Sequence, residues 1–205
     1  MARSRKSDHG NGVEPGSVER LAFELLFSTG RPLPPGRLAE TLTADRATMA
    51  SIVAELEQEG VVQCDADGSI VGVSGLSVEP TPHEFVIDDV RRWTWCAFDA
   101  LGFVASVRRG GVVRSRCPET GSPVVVRFFG KQVEADPPDA VVVFADRPEG
   151  RVREVWCPLV NLFEAPEAAR RWMEHHGISG EIQTPGESAS TGVRRFARFF
   201  ADDPS

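Results

Sequence analysis

The chain has 205 residues, 41% apolar and 26% charged, with a formal net charge of −7, the mixture of a globular protein of one domain or two small ones. No stretch approaches the ~20 apolar residues of a membrane-spanning helix, and no apolar run follows the basic opening Met1–Lys6 as a secretory signal would require. The acidic balance disfavours gripping phosphate backbones, so neither nucleic acid nor membrane is an expected partner, and a reducing, cytoplasmic setting with free thiols is expected.

Residues 1–16 lack periodicity and read as a flexible tail. Ser17 can cap a helix with Val18, Leu21, Leu25 and Leu26 on one face, stopped by Thr29-Gly30 and by Pro32, Pro34 and Pro35. A short helix carrying Leu38 and Leu42 follows. Thr43 then caps a third helix, whose Met49, Ile52, Val53 and Leu56 recur at helical spacing before Gly60. Val61–Cys64 and Ser69–Val73 flank an Asp-Gly turn and predict a hairpin. Three helices and a hairpin are the order of a winged helix. Yet residues 17–79 carry four basic against ten acidic side chains, a charge of −6, which suits a cover or partner surface and not a DNA reader.

Pro80 and Pro82 mark a boundary. Beyond it His83–Ile87 reads as a strand, Trp93–Val104 as a helix, and Val112–Cys117 with Pro123–Phe129 as a hairpin. Ala140–Phe144 and Val152–Cys157 read as strands, Pro166–His176 as a helix with proline in its first turn, and Gly192–Phe200 as the last helix. The expected class is α+β: a winged-helix-like three-helix domain with hairpin over 17–80, then a domain of mixed or antiparallel sheet flanked by helices over 81–205.

The chemistry is sought among the cysteines Cys64, Cys96, Cys117 and Cys157, none of which forms a C-x-x-C pair. On a helix Cys96 and Asp99 share a face. A thiol beside a carboxylate in an apolar segment raises both proton affinities, so such a pair can hold a shared proton at neutral pH. Spacing alone leaves a second reading open, in which Asp99 is a core-edge carboxylate paired with Arg91 or Arg92. Cys96 and Cys157 each follow a tryptophan in an apolar run, and two thiols in aromatic surroundings suit a soft, thiophilic metal. Cys64 and Cys117 read as small buried hydrophobes. His83, His175 and His176 give little support to a cysteine–histidine hydrolase. A soft-metal sensor or carrier that binds without catalysis is the alternative.

The segment Phe85-Val86-Ile87-Asp88…Trp95-Cys96-Ala97-Phe98-Asp99-Ala100-Leu101 resembles the W-C-A-x-D-x-L signature of the organomercurial (alkylmercury) lyases. The resemblance continues through Arg114–Val124, Val155-Trp156-Cys157, Asn161-Leu162-Phe163 and Ala165–Trp172, and spans about residues 17–200. It implies protonolytic cleavage of a carbon–mercury bond to hydrocarbon and Hg(II), in a catalytic domain over 81–205. It implies Cys96 and Cys157 as mercury-binding thiols, Asp99 as proton relay and third contact to the Hg(II) product, and Cys117 as structural. It further implies no resident cofactor, an organomercurial substrate, low-molecular-weight thiols for turnover, and transfer of Hg(II) to a mercuric reductase. Two positions depart from the family pattern: Trp93, often tyrosine, and Pro158, where some members carry a second cysteine.

Overall fold

The computed structural model describes residues 13–200, so most of the expected 1–16 tail lies outside the described residues. Its last part is ordered. Pro15 opens helix α1 (Pro15–Thr29) where its missing N–H leaves nothing unpaired, so Glu14 and not Ser17 is the cap, and Val13 packs on the core. Helices α2 (Pro35–Thr41) and α3 (Arg46–Gln58) follow. Asp45, not Thr43, caps α3, taking the Thr48 N–H at 2.9 Å. Val18, Ala22, Phe23 and Leu26 of α1 and Met49, Ile52 and Leu56 of α3 are all buried.

The Asp-Gly turn closes strands β1 (Val62–Cys64) and β2 (Ile70–Val73) into the expected antiparallel hairpin. A tighter turn, Ser74-Gly75, returns the chain as β3 (Leu76–Ser77). Strands β4 (His83–Ile87) and β5 (Val90–Thr94) come next, and the run from Trp93 to Val104 is therefore not one helix. Trp93 and Thr94 finish β5, and helix α4 spans Ala97–Val107. The run joins the end of a half-buried strand to a buried helix, which the apolar pattern alone does not separate.

Strands β6 (Gly111–Arg116), β7 (Pro123–Phe129) and β8 (Gln132–Asp136) complete an eight-stranded sheet of order β1-β2-β3-β5-β4-β6-β7-β8. Its pairings are all antiparallel. The sheet draws strands from both sides of residue 80, since Leu76 of β3 sits opposite Thr94 of β5. In β7 Val124, Val126 and Phe128 turn inward on alternate positions, as a sheet with one face on the core requires.

Strand β9 (Val141–Ala145) is followed by a short helix α5 (Val152–Val155) and a 3-10 turn, Cys157–Leu159. The strand expected over Val152–Cys157 is absent because both edges of β9 are occupied, by β10 (Leu162–Phe163) and, later, β11 (Gly180–Gln183). Between these two strands lies helix α6 (Pro166–His176), with proline in its first turn and Gly177 left-handed at its end. The last helix, α7 (Pro185–Phe200), begins well before Gly192. Thr184 and Glu187 start it with a reciprocal capping box: Glu187 Oε2 takes the Thr184 N–H at 2.8 Å, and Thr184 Oγ1 takes the Glu187 N–H at 3.2 Å.

Helix α4 is buried on all sides, as its apolar composition demands. It crosses α7 at a pair of glycines. A Cβ on Gly192 would lie 2.4 Å from the Gly102 Cα, so only two glycines permit this approach. The crossing seats Phe196 of α7 against Phe98 of α4, with ring centroids 5.6 Å apart.

Candidate active site

Cys96 ends the extended segment after β5 and is the N-cap of α4, with φ −150° and ψ 169°. Asp99 lies in the first turn, where a capping box places its acid. The Cys96 thiol donates to Asp99 Oδ2 at 3.1 Å. Thr94 Oγ1 donates to the Cys96 carbonyl at 2.8 Å and fixes the bend between strand and helix. Cys157 is the first residue of the 3-10 turn between α5 and β10. The Ala97 N–H donates to the Val160 carbonyl at 3.0 Å, stitching the start of α4 to the chain just beyond Cys157.

The ligand atoms of Cys96, Asp99 and Cys157 lie within 4.8 Å of one another, and the three residues are only 0%, 6% and 3% exposed. The three residues singled out in the sequence are therefore together. Cys117 is buried at the β6–β7 turn, and Cys64 is half-buried in β1, its thiol pushed up to about 11 by burial and then by the charges of Glu57 and Asp65. Neither belongs to the cluster. His83 is buried with Nδ1 2.9 Å from Ser115 Oγ, and burial drives its ring down to about 4.

Burial pushes the Asp99 carboxyl up to about 7, against the downward pull of its bonds to Cys96 and of the Arg195 charge. Arg91 and Arg92 are not its partners. Arg91 pairs with Glu84 at 3.3 Å, and the Arg92 guanidinium lies 4.7 Å from the centre of the Phe27 ring. Burial, the adjoining Cys157 thiol and the Asp99 charge hold the Cys96 thiol well above its ordinary range. Near neutrality the pair thus keeps a proton available between sulfur and oxygen.

Asp99 and Cys157 line a cleft of about 900 Å³ together with Trp95, Phe98, Phe144 and Trp156. The rings pack edge to face, Phe144 against Trp156 at 5.2 Å and Phe98 against Phe144 at 5.3 Å, and Trp156 Nε1 donates to the Ala145 carbonyl at 2.7 Å. Trp93 is not among the lining residues; it sits in β5 opposite Ser77 and Glu84.

Arg195, whose charge acts on Asp99, and Gly75 are site residues that the sequence leaves unmarked. Gly75, in the β2–β3 turn at φ +98°, lies so close to Asp99 that a Cβ there would be 2.6 Å from the carboxyl carbon. Ser-Gly between two β-prone runs is a turn signal, but nothing in the sequence says what that turn faces.

Two soft thiols and one proton-bearing carboxyl, sunk in an aromatic cleft of an antiparallel α+β fold, define a site for a thiophilic metal species. Hard ions want oxygen ligands, and structural zinc wants four donors. A family model described as alkylmercury lyase matches residues 76–196. The alkylmercury lyase of Streptomyces lividans is 34% identical over 156 residues, 75% of this chain and 71% of that protein. That of Staphylococcus epidermidis (strain ATCC 12228 / FDA PCI 1200) is 31% identical over 204 residues, 97% of this chain and 90% of that protein. The crystal structure of the mercury-bound form of MerB2 shares the fold, with a TM-score of 0.78 and 22% identity over 91% of this chain and 98% of that one. The chain belongs to the alkylmercury lyase family.

Proposed function

We propose that the protein is an organomercurial lyase, cleaving the carbon–mercury bond of alkyl- and arylmercury compounds by protonolysis and so serving mercury detoxification. The observation that carries the reading is the buried convergence of Cys96, Asp99 and Cys157 within 4.8 Å. The substrate R–Hg–X brings its own metal, so no resident cofactor is needed. Cys157 exchanges for X, which leaves with the thiol proton as HX. Cys96 then adds to mercury as a further ligand and passes its proton to the Asp99 carboxylate along their 3.1 Å hydrogen bond. Two thiolates on mercury push electron density onto carbon. Asp99 delivers its proton there, the C–Hg electron pair becomes the new C–H bond, and RH leaves Hg(II) on the two sulfurs. A general acid serves best with a proton affinity near the working pH, which a carboxyl raised to about 7 provides. The aromatic cleft seats R and keeps water from the reacting centre.

Two external low-molecular-weight thiols complete the cycle: they take Hg(II) and return two protons to the cysteines, and a mercuric reductase is the proposed receiver. Four free cysteines, with no helix among the described residues long and apolar enough to cross a membrane, support a reducing cytoplasmic setting. The same proposal reads residues 17–80 as a winged-helix-like cover and 81–205 as the catalytic part. Its support is the order of three helices and a hairpin, with Gly75 brought onto Asp99.

Release of benzene from phenylmercury, with excess thiol, tests the reading. Cys96→Ser and Cys157→Ser are expected to abolish it. Asp99→Ala is expected to bind Hg(II) yet lose ~10²–10⁴-fold in turnover, the contribution of a positioned proton donor. Mercury binding without benzene from the wild-type protein would leave a carrier instead.

A further inference from the structure

The turn that covers Asp99 is held down from outside the reacting cluster. Ser74 and Gly75 form the two-residue link between β2 and β3, Val73 facing Leu76, with φ of +48° and +98°. Gly75 has no side chain where the Asp99 carboxyl sits: a Cβ there would lie 2.6 Å from Cγ and 2.8 Å from each oxygen. The Gly75 carbonyl takes the Trp95 N–H at 2.8 Å, so the turn is bonded to the residue before Cys96. Ser74 N–H donates to the Val61 carbonyl at 2.8 Å, and its hydroxyl donates to Glu19 Oε1. Glu19 comes from α1 and is 8% exposed. The same Oε1 accepts from Arg198 Nη2 of α7 at 2.5 Å. Glu19, Ser74 and Arg198 line the same cleft as Asp99 and Cys157. One nearly buried carboxylate therefore ties three elements together at the turn that roofs the acid.

We propose that Glu19 is a positioning residue: through Ser74 it clamps the Ser74-Gly75 turn onto Asp99, holding that carboxyl against the Cys96 sulfur. The rate consequence rests on the lyase reading. The geometric consequence does not. Glu19 and Arg198 touch neither thiol, so the clamp acts on the orientation of the acid and leaves the mercury ligands in place. Misplacing a reacting group by about an ångström costs up to ~10²-fold in rate.

The test uses the full chain carrying Ser74→Ala, Glu19→Ala or Glu19→Gln. Benzene release gives kcat and KM, equilibrium titration gives Hg(II) affinity, and a small alkylating agent, located by mass spectrometry, gives the labelling rate of Cys96. Ser74→Ala and Glu19→Ala are expected to lower kcat by about 10-fold or more, with KM and Hg(II) affinity within about twofold. Glu19→Gln keeps an oxygen to accept from Ser74 and is expected to recover most of the loss. Cys96 is expected to label several-fold faster in Ser74→Ala while Cys117, a buried thiol outside the cluster, labels at its wild-type rate, a combination that general loosening of the fold does not produce. Unchanged kcat in both alanine variants overturns the clamp and leaves the lyase reading standing. If the wild-type protein releases no benzene, the lyase reading fails, and labelling alone decides the clamp: faster in Ser74→Ala upholds it, equal rates overturn it.

Discussion

Replacing Asp99 by asparagine should make the protein more stable at alkaline pH while destroying its turnover. The amide of Asp99→Asn keeps a carbonyl oxygen to accept from the Cys96 thiol but can carry no charge. In the folded protein burial raises the Asp99 carboxyl from an ordinary 3.8 to about 7. Between those values the folded chain retains a proton that the unfolded chain has released. Folding stability therefore falls by ~1.4 kcal/mol per pH unit across that window. The contribution of this group is intact at pH values below about 4 and is lost as pH rises through about 7. From about pH 5 to about pH 8 roughly two units of the window act, giving ~3 kcal/mol that the wild type loses and the variant keeps. Cys96, held high by burial, stays protonated in this range and does not blur the comparison. Urea denaturation followed by tryptophan fluorescence at several pH values measures the gap between Asp99→Asn and wild type. The gap should widen in favour of the variant by ~3 kcal/mol between the two ends. A gap that is constant with pH would refute the claim that the acid is buried with a raised proton affinity.

Gly75→Ala should lower the thermal midpoint and the hydrocarbon-release rate together while Hg(II) binding persists, since it adds ~1–2 kcal/mol of left-handed backbone strain and drives a methyl into the Asp99 carboxyl. Gly192→Ala would place a carbon 2.4 Å from the Gly102 Cα and push α7 off α4; calorimetry should find overpacking on the order of 1–3 kcal/mol. Cys64→Ser should leave Hg(II) stoichiometry and benzene release as they are, because that thiol lies outside the cluster.

Local signals in the sequence located elements well wherever one rule dominated. Pro166 and Gly177 bracket α6 at its true ends, and the Asp-Gly turn fixes the β1–β2 pairing. The Cys96–Asp99 spacing held even though the helix begins later than expected, because N-cap and first-turn acid meet as two residues within a helix do. Errors arose where the tertiary setting overrode composition. Val152–Val155 has the makeup of a strand but no free edge of β9 to join. Ser, Thr and Gly disguised the first half of α7, although Thr184 and Glu187 carried a legible capping signal. What no local rule encodes is the meeting of distant segments. Cys157 meets Cys96 where the Ala97 N–H bonds the Val160 carbonyl, a contact between segments distant in the chain. That Asp99 feels the Arg195 charge and lies under Gly75 depends on how α7 and the β2–β3 turn close over α4.

The most direct measurement is a single turnover without external thiol. Phenylmercury is mixed with excess protein, released benzene is counted, and the sulfur ligands of the retained mercury are counted by X-ray absorption. One benzene per mercury, with the metal left on two sulfurs and freed only on adding thiol, is the expected result. Mercury held by two sulfurs with its phenyl group still attached, or benzene formed equally well by the Cys96→Ser, Cys157→Ser double variant, would contradict it.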